Sequence, residues 1–250
     1  MKKSSLVLLL AVFFLSFNAG STDVGMTPTQ SGFEVTPISH ATMIINWDGT
    51  TIYVDPVGGA GSFAQYAKPD LILVTDIHGD HMSAETLSGL DTSATRIVVP
   101  RAVADKLPES LSDKLLILDN GKSMDLSGFM VEAVPMYNLR PEALKFHEKG
   151  RGNGYVIEHK GERVYISGDT EDIPEMRALK NIDRAFVCMN LPYTMTVDSA
   201  ADAVIEFAPK KVYPYHFRGG DGMSDVDKFK RIVAEASPAI NVVQLDWYPN

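Results

Sequence analysis

The sequence predicts an α+β domain of four layers, an αββα sandwich in which two mixed β-sheets pack face to face between outer helices. Three observations predict it. Extended runs joined by tight turns come first, and strand and helix segments then alternate. In both halves of the chain, buried strands end directly in acidic residues or histidines. With 250 residues, 45% of them hydrophobic and 22% charged, a sizeable core is available. No disulfide scaffold is needed, and the sole cysteine, Cys188, excludes an intramolecular one. It lies in an apolar run and is expected as a buried core thiol.

Taken in order, residues 1–21 have the layout of a secretory signal peptide. Lys2 and Lys3 form its basic start, residues 6–17 are apolar apart from Ser16, and Ala19, Gly20 and Ser21 supply small residues near the cut. The apolar stretch is too short for a comfortable membrane span. A bacterial lipoprotein anchor is excluded because no cysteine lies nearby. The expected protein is therefore bacterial and exported, periplasmic or secreted, with no membrane span after cleavage. A short linker over 22–31 leads into one domain over 32–250.

Strands are expected over 33–38, 42–47 and 51–54, the last two joined by an Asp48-Gly49 turn that favours a hairpin. Residues 71–74 are wholly apolar and read as a buried central strand. A helix over 83–90 starts at Ser83, a strand spans 96–99, and Pro108 closes a helix over 102–107. Strands follow over 115–118 and 129–134, then a hairpin of 154–158 and 162–167 around Lys160-Gly161. Pro174 suits the first position of a helix through 179. Strands over 184–189, 211–214 and 240–245 alternate with helices over 199–207 and 226–236. Residues 219–222 read as a mobile loop.

A net charge of −9 argues against nucleic acid as a partner, and the clusters Lys210-Lys211 and Lys228 to Arg231 are too short for a phosphate track. No Gly-x-Ser-x-Gly elbow is present, which argues against a serine triad. The strongest local signal is Asp76-x-His78-x-Asp80-His81, just past the strand at 71–74. Imidazole nitrogen and carboxylate oxygen are the usual ligands of catalytic zinc. Residues two apart in extended chain point the same way, so Asp76, His78 and Asp80 can converge. Asp169 and His216 repeat the placement after later strands.

These segments, with His40 in Ile38-Ser39-His40-Ala41-Thr42, Asp55-Pro56, and Pro192-Tyr193-Thr194-Met195-Thr196, resemble the metallo-β-lactamase fold superfamily, in its ascorbate-phosphate-lactonase-like branch. The resemblance spans nearly all of the chain after the leader. It implies a metal-dependent hydrolase in which Asp169 bridges two ions, His78 serves the first, and Asp80, His81 and His216 hold the second. The chain departs from the pattern where Asp76 replaces the first histidine of the loop and Asn138 replaces the later one. The first ion then has Asp76, His78, Asn138 and Asp169. Zinc is expected, one or two ions, and this oxygen-rich first site also suits manganese or iron. His147 either supplies the missing imidazole or contacts substrate, and His40, Arg151 and Tyr193 are the other substrate-contacting candidates.

The expected chemistry is hydrolysis of a small-molecule ester, lactone or phosphodiester by hydroxide held on the metal, with Asp80 or Asp169 orienting the water and handling its proton. A phosphodiester gains if a cationic pocket forms around Arg151. The alternative is a non-catalytic protein on the same fold that binds one metal or a ligand.

Overall fold

The computed structural model describes residues 32–248. The expected signal peptide and linker over 1–31 lie outside the described residues. The first sheet has strand order β1-β2-β3-β4-β5-β6. Its strands are β1 (Phe33–Ser39), β2 (Thr42–Trp47), β3 (Thr50–Val54), β4 (Leu71–Leu73), β5 (Arg96–Val99) and β6 (Leu115–Ile117). β1, β2 and β3 pair antiparallel, whereas β3 to β6 run parallel. Between the parallel strands lie helices α1 (Ala84–Gly89) and α2 (Arg101–Ala104). Ser83 caps α1 by accepting from the Thr86 amide, as its sequence position predicts.

The second sheet is built from β7 (Ser123–Leu126), β8 (Phe129–Met136), β9 (Gly152–His159), β10 (Glu162–Ile166), β11 (Arg184–Cys188) and β12 (Lys211–Tyr215). Helices α3 (Pro174–Arg177) and α4 (Val197–Phe207) lie among these strands, and the ribbon β13 (Arg218–Gly219) and β14 (Gly222–Met223) follows them. Helix α5 (Val226–Ala236) precedes the last strand, β15 (Asn241–Val242). The sheet order is β15-β12-β11-β10-β9-β8-β7.

Alternation along the strands explains the layering. Ile52, Val54, Leu71, Leu73 and Val98 share one core with Val131, Tyr155, Ile157 and Val187 of the second sheet. Their neighbours Tyr53, Ile72, Ile97 and Val99 point the other way, onto Leu87 and Val103 of α1 and α2. On the far side, α4 packs on α3 and α5. Its Ala200, Ala203, Val204 and Phe207 are buried, the face the sequence predicts.

Several elements differ from the sequence expectation. The helices expected over 102–107 and 174–179 span only Arg101–Ala104 and Pro174–Arg177, and short 3-10 helices form at Ala60–Phe63 and Glu109–Lys114. β7 was not foreseen, because Ser-Met-Asp-Leu is only half apolar; it is a sheet-edge strand joined to β8 by Ser127-Gly128, both at positive φ. The stretch around 219–222 forms the β13–β14 ribbon instead of a loop. The last strand keeps only Asn241–Val242 of the expected 240–245.

Gly154 on β9 lies where a Cβ would stand 2.8 Å from the Ser167 carbonyl oxygen and 2.9 Å from that of Ile166. Backbone atoms of β10 and its exit cannot yield as a flexible side chain can. Gly154→Ala is expected to destabilise the fold by about 1–3 kcal/mol. Thermal unfolding should show this as a fall in Tm of several degrees, and an unchanged Tm would contradict this packing.

Candidate metal centre

The strands deliver the chemistry to one place. His40 follows β1, Asp55 follows β3, Asp76 to His81 follow β4, and Asn138 follows β8. Asp169, Asn190 and His216 follow β10, β11 and β12. Every one sits past the carboxyl end of its strand, where ligands bind in open α/β sheets. His147 joins them from the long β8–β9 connection.

Among the described residues, two groups of side chains come close enough to hold a cation. One is Asp76, His78 and His147; the other is Asp80, His81 and His216. Asp169 stands between them. Its Oδ2 lies 3.3 Å from His147 Nε2 and 3.3 Å from His81 Nε2, and its Oδ1 lies 3.4 Å from His216 Nε2. Asp80 Oδ2 is 3.3 Å from His216 Nε2. In the first group, Asp76 Oδ2 is 2.7 Å from His78 Nδ1 and 4.0 Å from His147 Nε2.

The ring orientations have identifiable causes. His81 Nδ1 donates to Asp55 Oδ2 at 2.8 Å, which turns Nε2 towards Asp169. Asp55 is wholly buried and also accepts from the Thr75 amide and hydroxyl, at 2.7 and 2.6 Å. This is the carboxylate–histidine support typical of metal-ligating imidazoles. His147 Nδ1 faces the Tyr193 carbonyl at 3.2 Å, leaving Nε2 towards the cluster. The Nδ1 atoms of His216 and His40 face each other at 3.3 Å. His40 in turn receives a hydrogen bond from Arg218, whose guanidinium lies over the Tyr248 ring.

Charge follows from this crowding. Burial opposes charging His81, but the Asp169 and Asp55 carboxylates outweigh it and hold its pKa well above the usual imidazole value. Burial likewise works against ionising Asp169 and Asp80. The histidines around them prevail and keep both well below the usual carboxylate range. His40 is lowered to about 4 by burial, by His216 and by Arg218. Burial pushes the Cys188 thiol up to about 12, consistent with a core residue rather than a nucleophile.

Unpaired atoms test whether these residues fit a cation. Asn138 Oδ1, His147 Nε2 and Asp169 Oδ1 are buried and have no hydrogen-bond partner. Asn138 is held with its Nδ2 donating to the carbonyls of Ala143 at 2.9 Å and Tyr193 at 2.7 Å, so its oxygen is the atom left over. Buried acceptors left unsatisfied are costly. Imidazole and carboxylate donors grouped in this way fit a divalent metal.

The remaining expected residues separate. His78, Asp80, His147, Asp169 and Tyr193 line a cavity of about 330 Å³ together with Phe146 and Asn190. Arg151 does not line it: its guanidinium is bidentate on Asp76, at 3.1 and 2.9 Å. His40 sits behind His216, outside the lining. Sequence reasoning missed the buried support that Asp55 and Thr75 give His81, and it missed Asn190, although Asp55 obeys the same strand-end rule as the ligands. Asn190 Nδ2 lies 3.4 Å from Asp169 Oδ2 and 3.5 Å from His216 Nε2. His159, the sixth histidine, stacks on Phe129 at 4.0 Å and faces Asp48, and it belongs to neither group.

Comparison with known proteins finds relatives across most of the chain. The profile of the beta-lactamase superfamily domain matches residues 34–216. A UPF0173 metal-dependent hydrolase of Thermococcus onnurineus is 31% identical over 199 residues, covering 76% of this chain and 87% of its own. One from Thermococcus kodakarensis is 27% identical over 81% of this chain and 93% of its own. A crystal structure from Parabacteroides distasonis, assigned as a metal-dependent hydrolase, superposes with a TM-score of 0.77 at 37% identity. It covers 87% of this chain and 94% of its own.

Proposed function

The chain belongs to the beta-lactamase superfamily and is a metal-dependent hydrolase; from that premise we propose that it is exported and cleaves a small ester, lactone or phosphodiester with two cations. The observation that carries the binuclear reading is Asp169, whose one carboxylate reaches an imidazole of each group. Asp80, His81 and His216 would hold one ion. Asp76, His78 and His147, with Asn138 Oδ1, would hold the other, and Asp169 would touch both. Zinc suits both groups, each of which offers two imidazoles and a carboxylate. The oxygen donors of the first also suit Mn²⁺ or Fe²⁺. Export rests on the basic and apolar start of the sequence.

A bound cation supplies Lewis-acid polarisation and makes water acidic near neutral pH. The protein's own groups do the rest. Asp80 has a side chain 44% exposed and lines the cavity, so it can orient a water and receive its hydrogen bond. His216 and His81 keep it ionised. Asn190 lines the same cavity, and its Nδ2 can donate to an oxygen of the substrate. Asp55 and the Tyr193 carbonyl orient His81 and His147 so that Nε2 of each faces the position an ion would take.

The test is metal content of the full chain by elemental analysis, beside turnover of ester, lactone and phosphodiester substrates. The parent should carry about two ions and His147→Ala about one. A parent that saturates at one ion under metal titration, or a His147→Ala protein that keeps two, would overturn the assignment of the first site.

A further inference from the structure

The cavity over the two groups has a floor of ligands and a wall of another kind. His78, Asp80, His147, Asp169 and Asn190 are polar, whereas Phe146 and Tyr193 meet edge to face with ring centroids 5.1 Å apart. Among the described residues, no lysine or arginine lines it. Three nearby arginines are engaged elsewhere. Arg151 is committed to Asp76 and to the Phe146 carbonyl. Arg140 is committed to Glu171 and to the carbonyls of Pro192 and Thr194. Arg218 reaches only the back of the site, through His40. Lys145 lies 5.1 Å from the Phe146 ring centroid, is exposed, and is not among the lining residues.

Of the large hydrophobic side chains exposed in the described residues, Leu139 and Leu144 lie on the segment that supplies Phe146 and His147 to the lining, and Tyr193 lines the cavity itself. The Asn138 amide and the Arg140 guanidinium tie that segment to the one carrying Tyr193.

We infer that this site selects an uncharged carbonyl substrate, an ester or lactone, whose apolar or aromatic group lies against Phe146 and Tyr193, in preference to a phosphodiester. An anionic phosphodiester would enter beside Asp80 and Asp169 with only the bound cations, and no guanidinium or ammonium of the described lining, to meet its charge. An apolar group gains contact and loses water against the aromatic wall. A cavity of about 330 Å³ limits the substrate to a small molecule. The inference rests on the hydrolytic reading above.

The experiment uses the zinc-loaded full chain and three probes: γ-phenyl-γ-butyrolactone, γ-butyrolactone and bis(4-nitrophenyl) phosphate. The two lactones present the same carbonyl and differ in the phenyl group. The phenyl lactone should show a KM about tenfold lower than the parent lactone, and the phosphodiester the lowest kcat/KM of the three. In Phe146→Ala and in Tyr193→Ala, the ratio of the two lactone KM values should fall towards one while zinc content stays at the parent level. Zinc content identifies any variant that has failed to fold. A phosphodiester with the highest kcat/KM overturns the inference, as does a phenyl preference that survives in both variants. If the parent turns over none of the three, the hydrolytic reading fails. Calorimetric binding of the same probes then decides the inference by itself, since tighter binding of the phenyl lactone supports it and equal or weaker binding overturns it.

Discussion

Asp169→Ala is expected to empty both cation positions at once. Every other ligand candidate belongs to one group, but Asp169 lies within 3.4 Å of His81, His147 and His216. Its loss removes a shared ligand and also the negative charge that sits among three imidazoles. Elemental analysis of the variant should find well under one ion per chain, where His147→Ala retains about one. Loss of several kcal/mol of metal stabilisation corresponds to a fall in kcat/KM of about a thousandfold or more. Asp169→Asn keeps the size and removes the charge, so it separates bridging from packing. If the Asn variant bound two ions at parental affinity, the bridge would not exist.

Asp55→Ala carries the second large effect, although Asp55 reaches no candidate ion position. Its carboxylate is fully buried and takes three donors, the Thr75 amide, the Thr75 hydroxyl and His81 Nδ1. Removing it leaves the Thr75 amide without an acceptor and leaves the Thr75 hydroxyl and His81 Nδ1, 2.9 Å apart, only each other. Breaking a buried charged pair in this way costs about 3–5 kcal/mol. For a domain of this size, the Tm should fall by roughly 10 °C. The variant should also bind zinc about 10- to 100-fold more weakly, since His81 loses the partner that fixes its ring. Both readouts are needed: a lower Tm with unchanged zinc affinity would make Asp55 a structural residue alone.

Much of this is legible in the sequence. Hydrophobic alternation and the turns Asp48-Gly49 and Lys160-Gly161 fixed the hairpins, because positive φ at two successive residues strongly limits the choice of turn. Amphipathic spacing placed α5 to the residue. The cluster at Asp76 to His81 was visible because its ligands are close in sequence. The contribution of His147 could only be posed as an alternative, since the loop that carries it has no periodicity and its partner is a backbone carbonyl 46 residues away. The pairing of Arg151 was hidden for a related reason: the partner that takes it, Asp76, is 75 positions distant in sequence. Asp55 stood at a strand end in plain view, yet nothing local marks a carboxylate as support for a ligand instead of a ligand itself.

The Tyr193 carbonyl accepts from the side chains of Asn138 and His147, while the Tyr193 ring forms part of the cavity wall. One residue therefore belongs both to the seat of an ion and to the surface that meets substrate. Affinities at such joined places are linked, and the linkage is reciprocal. An ion that draws His147 into position also sets the wall, and a substrate seated on the wall tightens the hold on the ion by the same factor. Substrate would then slow the loss of metal to a chelator, and starvation for metal would degrade recognition as well as rate.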